Sequence, residues 1–367
     1  MIAKKNYLST PLFEADSKNE KSVLTILNSI RKHPVSAFAL FAVILVVVQM
    51  LSKMQVISSS FVTAIGSTII FCIVGLGFCL LLGYSALASL GTAGFIGIGA
   101  YCAYYCLAVW GFTIAVAFVI AIVAAIIIGV VVGYISLRIE GIYLAIVTLG
   151  ISQIIKEVLS AICDTISIKG SQILLFGMET MKLKTTDIFY MLVALLLVLM
   201  IITWNLMNSP TGRAMLAMKN STSAAQAFGI SLLKYRLMAF IISIVYASIA
   251  GLMYMLYIRY VSNSSSTLFT LSTSLNILGA VIIGGTKSIW GTIGGTFIIY
   301  GIDQMFLQDI EFFRTNPTLI TLFCGILVVL VIMFYPGGLA QLLIEVKFKI
   351  QKLLLKRREA KYGKDLG

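Results

Sequence analysis

The segment FTIAVAFVIAIVAAIIIGVVVGYIS, residues 112–136, decides the fold class of this chain. It carries no charged residue and is longer than the roughly 20 apolar residues that an α-helix needs to cross a bilayer. Other apolar runs occupy residues 36–52, 59–82, 85–110, 141–160, 188–207, 235–258, 268–286, 290–308 and 318–335. The sequence therefore predicts an all-α polytopic membrane protein with about ten transmembrane helices.

The composition of the whole chain supports the same class. Of its 367 residues, 60% are hydrophobic and only 11% are charged, and the mean hydropathy is +1.03. Soluble domains carry about 25% charged residues, so this chain has too few charges to cover a water-facing surface. The N-terminus is polar and shows no short apolar core followed by a small-residue cleavage site, so the first span is expected to remain as an anchor.

Basic residues concentrate on one side of the predicted membrane. The net charge is +13, and clusters of Lys and Arg precede the first apolar run and follow the last one. With a cytoplasmic N-terminus and ten crossings, 20 of the 27 basic residues lie on the cytoplasmic side, as the positive-inside rule requires. We therefore expect both termini in the cytoplasm and the basic clusters against anionic lipid, not nucleic acid.

Three regions follow from this topology. Residues 1–35 form a cytoplasmic segment with an interfacial amphipathic helix, since Val23, Leu24, Leu27 and Ile30 recur at helical spacing. Residues 36–340 form the transmembrane domain, and residues 341–367 form a basic cytoplasmic tail that is again amphipathic. These two flanking helices are expected to lie along the membrane surface.

Two glycine clusters are the most unusual features of the spans. Glycine lets helices pack closely in lipid, but it also breaks helices beside a cavity, and the sequence leaves both interpretations open. The motif Gly-Thr-x-Gly occurs in both clusters, at 91–94 and 291–294, which is too short to establish an internal repeat. The candidate residues for a helix break or a translocation path are Gly83, Ser89, Gly91, Gly94, Gly97, Gly284, Gly285, Trp290 and Gly291.

Polar side chains within the spans are few. Tyr143, Thr148, Gln153 and Asn276 are candidates to line a path, with helix–helix hydrogen bonding as the alternative for each. The single histidine precedes the first span, and the two cysteines at helical spacing, Cys102 and Cys106, are best explained by packing. No catalytic residue, metal site or cofactor is predicted, and the chain is not expected to be an enzyme.

The cytoplasmic loop at 208–234 predicts two short helices. Pro210 suits the first turn of one helix, and Ser221 or Thr222 could cap the other. Gly229 could end the second helix in a left-handed conformation. Such a compact pair is either a plain connector or a docking element for a partner that supplies energy.

The loop resembles the coupling segment of permeases from ATP-binding-cassette (ABC) importers, whose motif is Glu-Ala-Ala-x-x-x-Gly. Here SAAQAFG (223–229) retains both alanines, Ala224 and Ala225, and Gly229, but has Ser223 in place of the glutamate. The chain is more narrowly similar to branched-chain amino acid permeases of the LivM type. Blocks at 83–101, 137–150, 209–214 (which contains Arg213), 284–291 and 335–340 carry that resemblance.

The resemblance implies a permease subunit in the cytoplasmic (inner) membrane of a prokaryote, which would import branched-chain amino acids by alternating access. Its implied partners are a second homologous permease, two cytoplasmic ABC ATPases that bind ATP and Mg²⁺, and an extracytoplasmic substrate-binding protein. Urea or short amides, and sugars or nucleosides, are alternative substrates within the same superfamily. An ion-coupled secondary transporter is a more distant alternative, disfavoured because almost no charged groups lie at mid-membrane.

Overall fold

The computed structural model describes residues 34–55, 58–139, 141–169, 184–262, 268–307, 317–334, 337–341 and 345. Its helices are α1 (Pro34–Lys53), α2 (Ser59–Ser85), α3 (Thr92–Tyr104), α4 (Ile114–Ser136), α5 (Ile142–Ile162), α6 (Thr185–Asn208), α7 (Pro210–Asn220), α8 (Thr222–Ala227), α9 (Leu232–Ile258), α10 (Leu271–Gly284), α11 (Ile289–Thr296) and α12 (Pro317–Phe334). The π-helical turns Tyr105–Val109, Phe297–Gly301 and Asp303–Leu307 extend α3 and α11. The predicted flanking amphipathic helices lie outside the described residues.

Every predicted apolar run coincides with a helix. Among the described residues, seven helices are long and apolar enough to cross a membrane, namely α1, α2, α3 with its π-helical turn, α4, α5, α6 and α9. Leu271–Gly284 and Ile289–Gly301 are shorter apolar helices, and α12 has 18 residues. The all-α polytopic class is confirmed, whereas the count of ten crossings remains a prediction for the last three runs.

The third span begins later than the sequence predicted. Ala86 adopts a left-handed conformation (φ 55°) and ends α2, and the chain stays non-helical until Thr92. From Thr92 the helix continues to Val109 and changes from α to π geometry at Tyr105. The predicted start at residue 85 is therefore wrong, because a partly buried connection at 86–91 separates the two helices.

The core of the bundle is formed by α2, α3 and α9. Most residues of α2 are buried, from Val62 to Ser85. Helices α3 and α9 cross at glycines: a methyl group on Gly99 would overlap the backbone of Ser248, and one on Gly251 would overlap the Ile96 carbonyl. Small residues such as these let helices approach closely, and in lipid helix association depends on such packing because the hydrophobic effect does not drive it.

Helices α4 and α5 flank this core. The buried side of α4 is a stripe of small residues at Ala117, Ala121, Ala125 and Gly129, and Ser248 of α9 donates a hydrogen bond to the Ala121 carbonyl at 3.2 Å. The opposite side of α4 exposes Val119, Ile127 and other apolar side chains. This pattern is that of a helix with one protein face and one lipid face.

The connections between helices sort to two ends of the bundle. At one end, strand β1 (Thr165–Ser167) after α5 pairs antiparallel with strand β2 (Tyr260–Ser262) after α9. At the other end, the 86–91 connection, the 285–288 connection and the pair α7–α8 lie together, as the contacts below show. The sequence-derived topology placed the 208–234 loop and the turn at Lys287 on its cytoplasmic side, whereas it assigned residues 86–91 to the third span.

Candidate functional site: the coupling segment and the helix ends above it

Local capping rules build the helix pair α7–α8. The Ser209 hydroxyl accepts a hydrogen bond from the Gly212 N–H at 3.2 Å, and Pro210 occupies the first turn of α7. The Ser221 hydroxyl accepts from the Ala224 N–H at 3.3 Å and so caps α8. Gly229 follows α8 with φ +77°. The predicted helix pair, the Ser221 cap and the left-handed Gly229 are all confirmed.

The two faces of this pair differ in burial. Met215 and Met218 of α7 are 0% and 1% exposed and hold the pair against the bundle, and Ala225 is also buried. Arg213, Ala224 and Gly229 are exposed. Phe228 is 86% exposed, which is unusual for a large aromatic side chain on a surface that projects from the bundle. The pair therefore presents an uncovered surface, Arg213 together with residues 222–229, which we call the coupling surface.

Lys219 joins this segment to the bundle. Its ammonium group donates hydrogen bonds to the carbonyl oxygens of Gly83 at 2.9 Å and Leu82 at 3.2 Å, in the last turn of α2. Burial lowers the pKa of the Lys219 ammonium, and the nearby charge of Lys287 lowers it further. The sequence analysis did not single out Lys219, because the contact spans more than 130 positions of the chain and no local motif marks it.

The 285–288 connection packs on the same turn of α2. A methyl group on Gly83 would overlap the Thr286 carbonyl oxygen, and the Cys79 thiol donates to that oxygen at 3.1 Å. Gly285 has φ +105°, and the Ser288 hydroxyl caps α11 by accepting from the Gly291 N–H at 3.1 Å. Gly83 of the first glycine cluster therefore packs beside the second cluster, at the end of α2 that Lys219 contacts. We call this end of the helix the coupling end.

Other predicted residues lie between α3 and α5. The Thr148 hydroxyl accepts from the Leu90 N–H at 3.1 Å, and the Ser152 hydroxyl accepts from the Gly94 N–H at 2.9 Å. Gly91 lies against the Thr148 carbonyl, and Gly97 lies against the Leu159 side chain. In this structure these residues pack helices together, and Ser152 is a partner that the sequence analysis missed.

A small cavity adjoins the 86–91 connection. Its lining includes the hydroxyl-bearing residues Ser89, Thr92 and Ser243 beside apolar walls from Phe95 and Phe240. The space open to the centre of a water-sized sphere is about 10 Å³, enough for about one water molecule. An amino acid does not fit there.

The uncovered face of α5 holds the remaining polar candidates. Tyr143 is 67% exposed, and Gln153 is exposed and donates to the Glu157 carboxylate at 3.0 Å. Gly150 lies between them at helical spacing, with open space where a side chain would be. One side of the helix therefore carries a stripe of five residues, which we call the α5 stripe: Tyr143, Ile146, Gly150, Gln153 and Glu157.

Four predicted residues lie elsewhere. Asn276 is half-buried on α10. The Trp290 ring packs against Phe38 and Phe41 of α1, with ring centroids 5.6 and 5.5 Å apart. Gly284 and Gly291 lie against each other's backbone. Within the described ranges, no group of three or more His, Cys, Asp or Glu residues could hold a metal ion.

Comparison with known proteins identifies a family for this chain. The family model described as "Branched-chain amino acid transport system / permease component" matches residues 60–332. The chain is 31% identical to the high-affinity branched-chain amino acid transport system permease proteins LivM of Escherichia coli (strain K12) and of Salmonella typhimurium (strain LT2). Each alignment covers 74% of this chain and 68% of the relative.

A shorter similarity extends to another importer subunit. The autoinducer 2 import system permease protein LsrC of Enterobacter sp. (strain 638) is 29% identical over 30% of this chain and 33% of its own length. No solved structure gives a significant match. The family model covers most of the chain and the apolar helices account for its architecture, so this multi-pass inner-membrane protein belongs to the permease-component family of branched-chain amino acid transport systems.

Proposed function

We propose that this chain is the permease subunit of an ATP-driven importer for branched-chain amino acids. The observation that supports this most directly is the coupling surface, a capped helix pair that is anchored by buried methionines and leaves Phe228 uncovered. Two cytoplasmic ABC ATPases, which bind ATP and Mg²⁺, would dock there. The chain itself would supply no catalytic residue.

The α5 stripe supports a second permease as partner. Glutamine and glutamate are costly against lipid at membrane depth and usually face a bundle interior or a water-filled cavity. Gln153 and Glu157 are both exposed within the part of the chain that the structure describes. A second homologous permease packed beside α5 would enclose a polar path, with Tyr143 and Gln153 among the residues that a solute passes.

This geometry supports a scheme of alternating access. ATP-driven closure of the ATPases would push on the coupling surface, whose helices α7 and α8 pack against α2 and α9. Tilting these helices would open the path toward one side of the membrane or the other. This scheme requires the coupling end to face the cytoplasm, as the positive-inside count predicts.

Selectivity is assigned largely to a partner. The cavity beside the 86–91 connection holds about one water and no amino acid. An extracytoplasmic substrate-binding protein would therefore select the solute, and the assignment to branched-chain amino acids follows the two LivM relatives.

Co-purification from the native membrane tests this function. We expect the wild-type chain to bring down a second permease and two ATPases, and vesicles containing the complex to take up leucine only with ATP. Gly229→Trp should lose the ATPases, because it places a bulky side chain at φ +77° on the coupling surface. The matched control is Gly111→Trp, which also replaces an exposed glycine with positive φ, at 66°, but away from α7 and α8.

Two results would contradict the proposal. One is isolation of the chain alone together with leucine uptake driven by a proton or sodium gradient in vesicles that lack ATP. The other is equal recovery of the ATPases with Gly229→Trp and Gly111→Trp, which would remove the coupling surface as their docking site.

A further inference from the structure

The last turn of α2 carries more hydrogen bonds than a helix end supplies by itself. The final carbonyls of a helix have no partner within the helix. The Leu81 carbonyl is satisfied locally, because the Leu87 N–H donates to it at 3.2 Å and the Ala86 N–H also points to it. The next two carbonyls, of Leu82 and Gly83, accept from the Lys219 ammonium instead. A distant cation thus completes the cap of α2.

Lys219 is held in position by its own helix. Met215 lies one turn earlier on α7 and Met218 immediately precedes it, and both are buried against the bundle. Ser221, two residues later, caps α8, and α8 carries most of the coupling surface. A displacement of α8 therefore reaches the Lys219 ammonium through one short, packed segment.

The same turn of α2 also contacts the second connection. The Gly83 carbonyl accepts a hydrogen bond from Lys219, and the Gly83 Cα packs against the Thr286 carbonyl. A methyl group on Gly83 would overlap that carbonyl oxygen. Cys79, one turn earlier, donates to the same Thr286 oxygen. A shift of the 82–83 turn cannot leave the 285–288 connection where it is, because packed interiors transmit displacements.

We propose that Lys219 is a positioning residue that transmits movement of the coupling surface to both the 86–91 and the 285–288 connections, by way of the end of α2. The proposal rests on the proposed function, since it presumes that ATPases move the coupling surface. A cation at the carbonyl end of a helix is also favourable electrostatically. Burial of the Lys219 ammonium and the nearby charge of Lys287 lower its pKa.

The test compares three variants in the complete complex reconstituted in vesicles. Lys219→Met keeps the apolar stem and removes the donors, Lys219→Arg keeps a donor cation, and Lys234→Met removes an exposed lysine of the same loop as a matched control. The first measurement is leucine transported per ATP hydrolysed. We expect this ratio to fall about tenfold in Lys219→Met, since hydrogen bonds to charged groups contribute on that scale, and to stay near wild type in Lys219→Arg and Lys234→Met.

The second measurement is amide hydrogen exchange at Leu87 and Ser288, one amide in each connection. Both amides are hydrogen-bonded, Leu87 to the Leu81 carbonyl and Ser288 to the Gly285 carbonyl at 3.1 Å. We expect Lys219→Met to accelerate exchange at both sites by about tenfold. A cap that acts only locally would accelerate exchange at Leu87 alone.

The outcomes separate the two proposals. If the wild-type complex lacks ATP-driven uptake, the proposed function fails. If the wild type transports and Lys219→Met matches Lys234→Met in coupling ratio, or accelerates exchange only at Leu87, the role of Lys219 is overturned. If Lys219→Met is not recovered folded, Lys219→Gln replaces it, because glutamine keeps an N–H donor without the charge. We expect an intermediate ratio of leucine transported per ATP hydrolysed for this variant. An unchanged ratio would contradict the proposal.

Discussion

Helices α4 and α5 are both largely uncovered in the isolated chain, yet they expose different chemistry. In the most apolar segment of each helix, only 28% of the residues of α4 and 11% of those of α5 are buried. The mean hydropathy of this segment is 3.3 for α4 but 1.6 for α5. The more polar helix is therefore the less covered one, the reverse of what is expected if every uncovered helix faced lipid. Exposure alone does not identify a lipid face in such a protein.

The difference assigns the two helices to different neighbours. The exposed side of α4 offers only apolar side chains such as Val119 and Ile127, which suit lipid. The α5 stripe offers Gln153 next to Glu157, which suits a polar path enclosed by a second subunit. On this account the stripe becomes covered only in the assembled importer.

The largest effect on membrane insertion is expected when a charged residue is placed in the middle of one of these helices. Ile127→Arg on α4 should destabilise insertion by about 2.5–3.5 kcal/mol, since it moves a guanidinium into lipid. Gln153→Arg on α5, at a similar depth, should be tolerated far better in native membranes. Yield of folded protein in the membrane fraction measures both variants, and equal losses would contradict the assignment.

A smaller effect is expected from adding one methyl group beside the buried side of α5, at Gly94 of α3, or on its exposed side, at Gly150. In Gly94→Ala, the new carbon would lie 2.9 Å from the Ser152 Cα and Oγ atoms, and overpacking of this kind costs about 1–3 kcal/mol. Gly150→Ala enters open space on the stripe and should leave thermal unfolding of the detergent-solubilised chain unchanged or slightly raised. A lowered unfolding temperature for Gly150→Ala would show that the stripe is already packed within the chain.

The smallest effect is expected for Ser152→Ala. It removes the 2.9 Å hydrogen bond from the Gly94 N–H, but that N–H also lies 3.1 Å from the Gly91 carbonyl. The loss should therefore be about 0.5–1 kcal/mol, at the low end for a hydrogen bond. The same thermal unfolding measurement applies, and a loss as large as that of Gly94→Ala would mean that Ser152 anchors α5 more strongly than this geometry implies.

Local patterns were sufficient to predict much of this molecule. The apolar runs predicted the helices because a backbone in lipid must satisfy its own hydrogen bonds, and the Ser221 cap and Gly229 turn follow from rules that span a few residues. The left-handed Ala86 that ends α2 was missed, because alanine rarely takes that conformation and hydropathy continues across it.

Long-range contacts could not be predicted in the same way. Nothing near Lys219 in the sequence indicates that it reaches Leu82 and Gly83. The sequence left Thr148 and Gln153 as equivalent candidates, but the structure buries the first between helices and exposes the second. Helical periodicity predicts which residues of α5 share a side of the helix. Only the packing in the structure shows which of the two sides contacts the bundle.

The most direct test of the central claim, that α5 borders a path enclosed by a second permease, is thiol labelling in the reconstituted importer. Gln153→Cys and Ile127→Cys would each be placed in a background without other cysteines and exposed to a membrane-impermeant thiol reagent, with and without trapped ATP. The account predicts that Gln153→Cys reacts at a rate that changes with nucleotide state, whereas Ile127→Cys stays unreactive in lipid. If Gln153→Cys is as inert as Ile127→Cys in both states, α5 faces lipid and the proposed path is wrong.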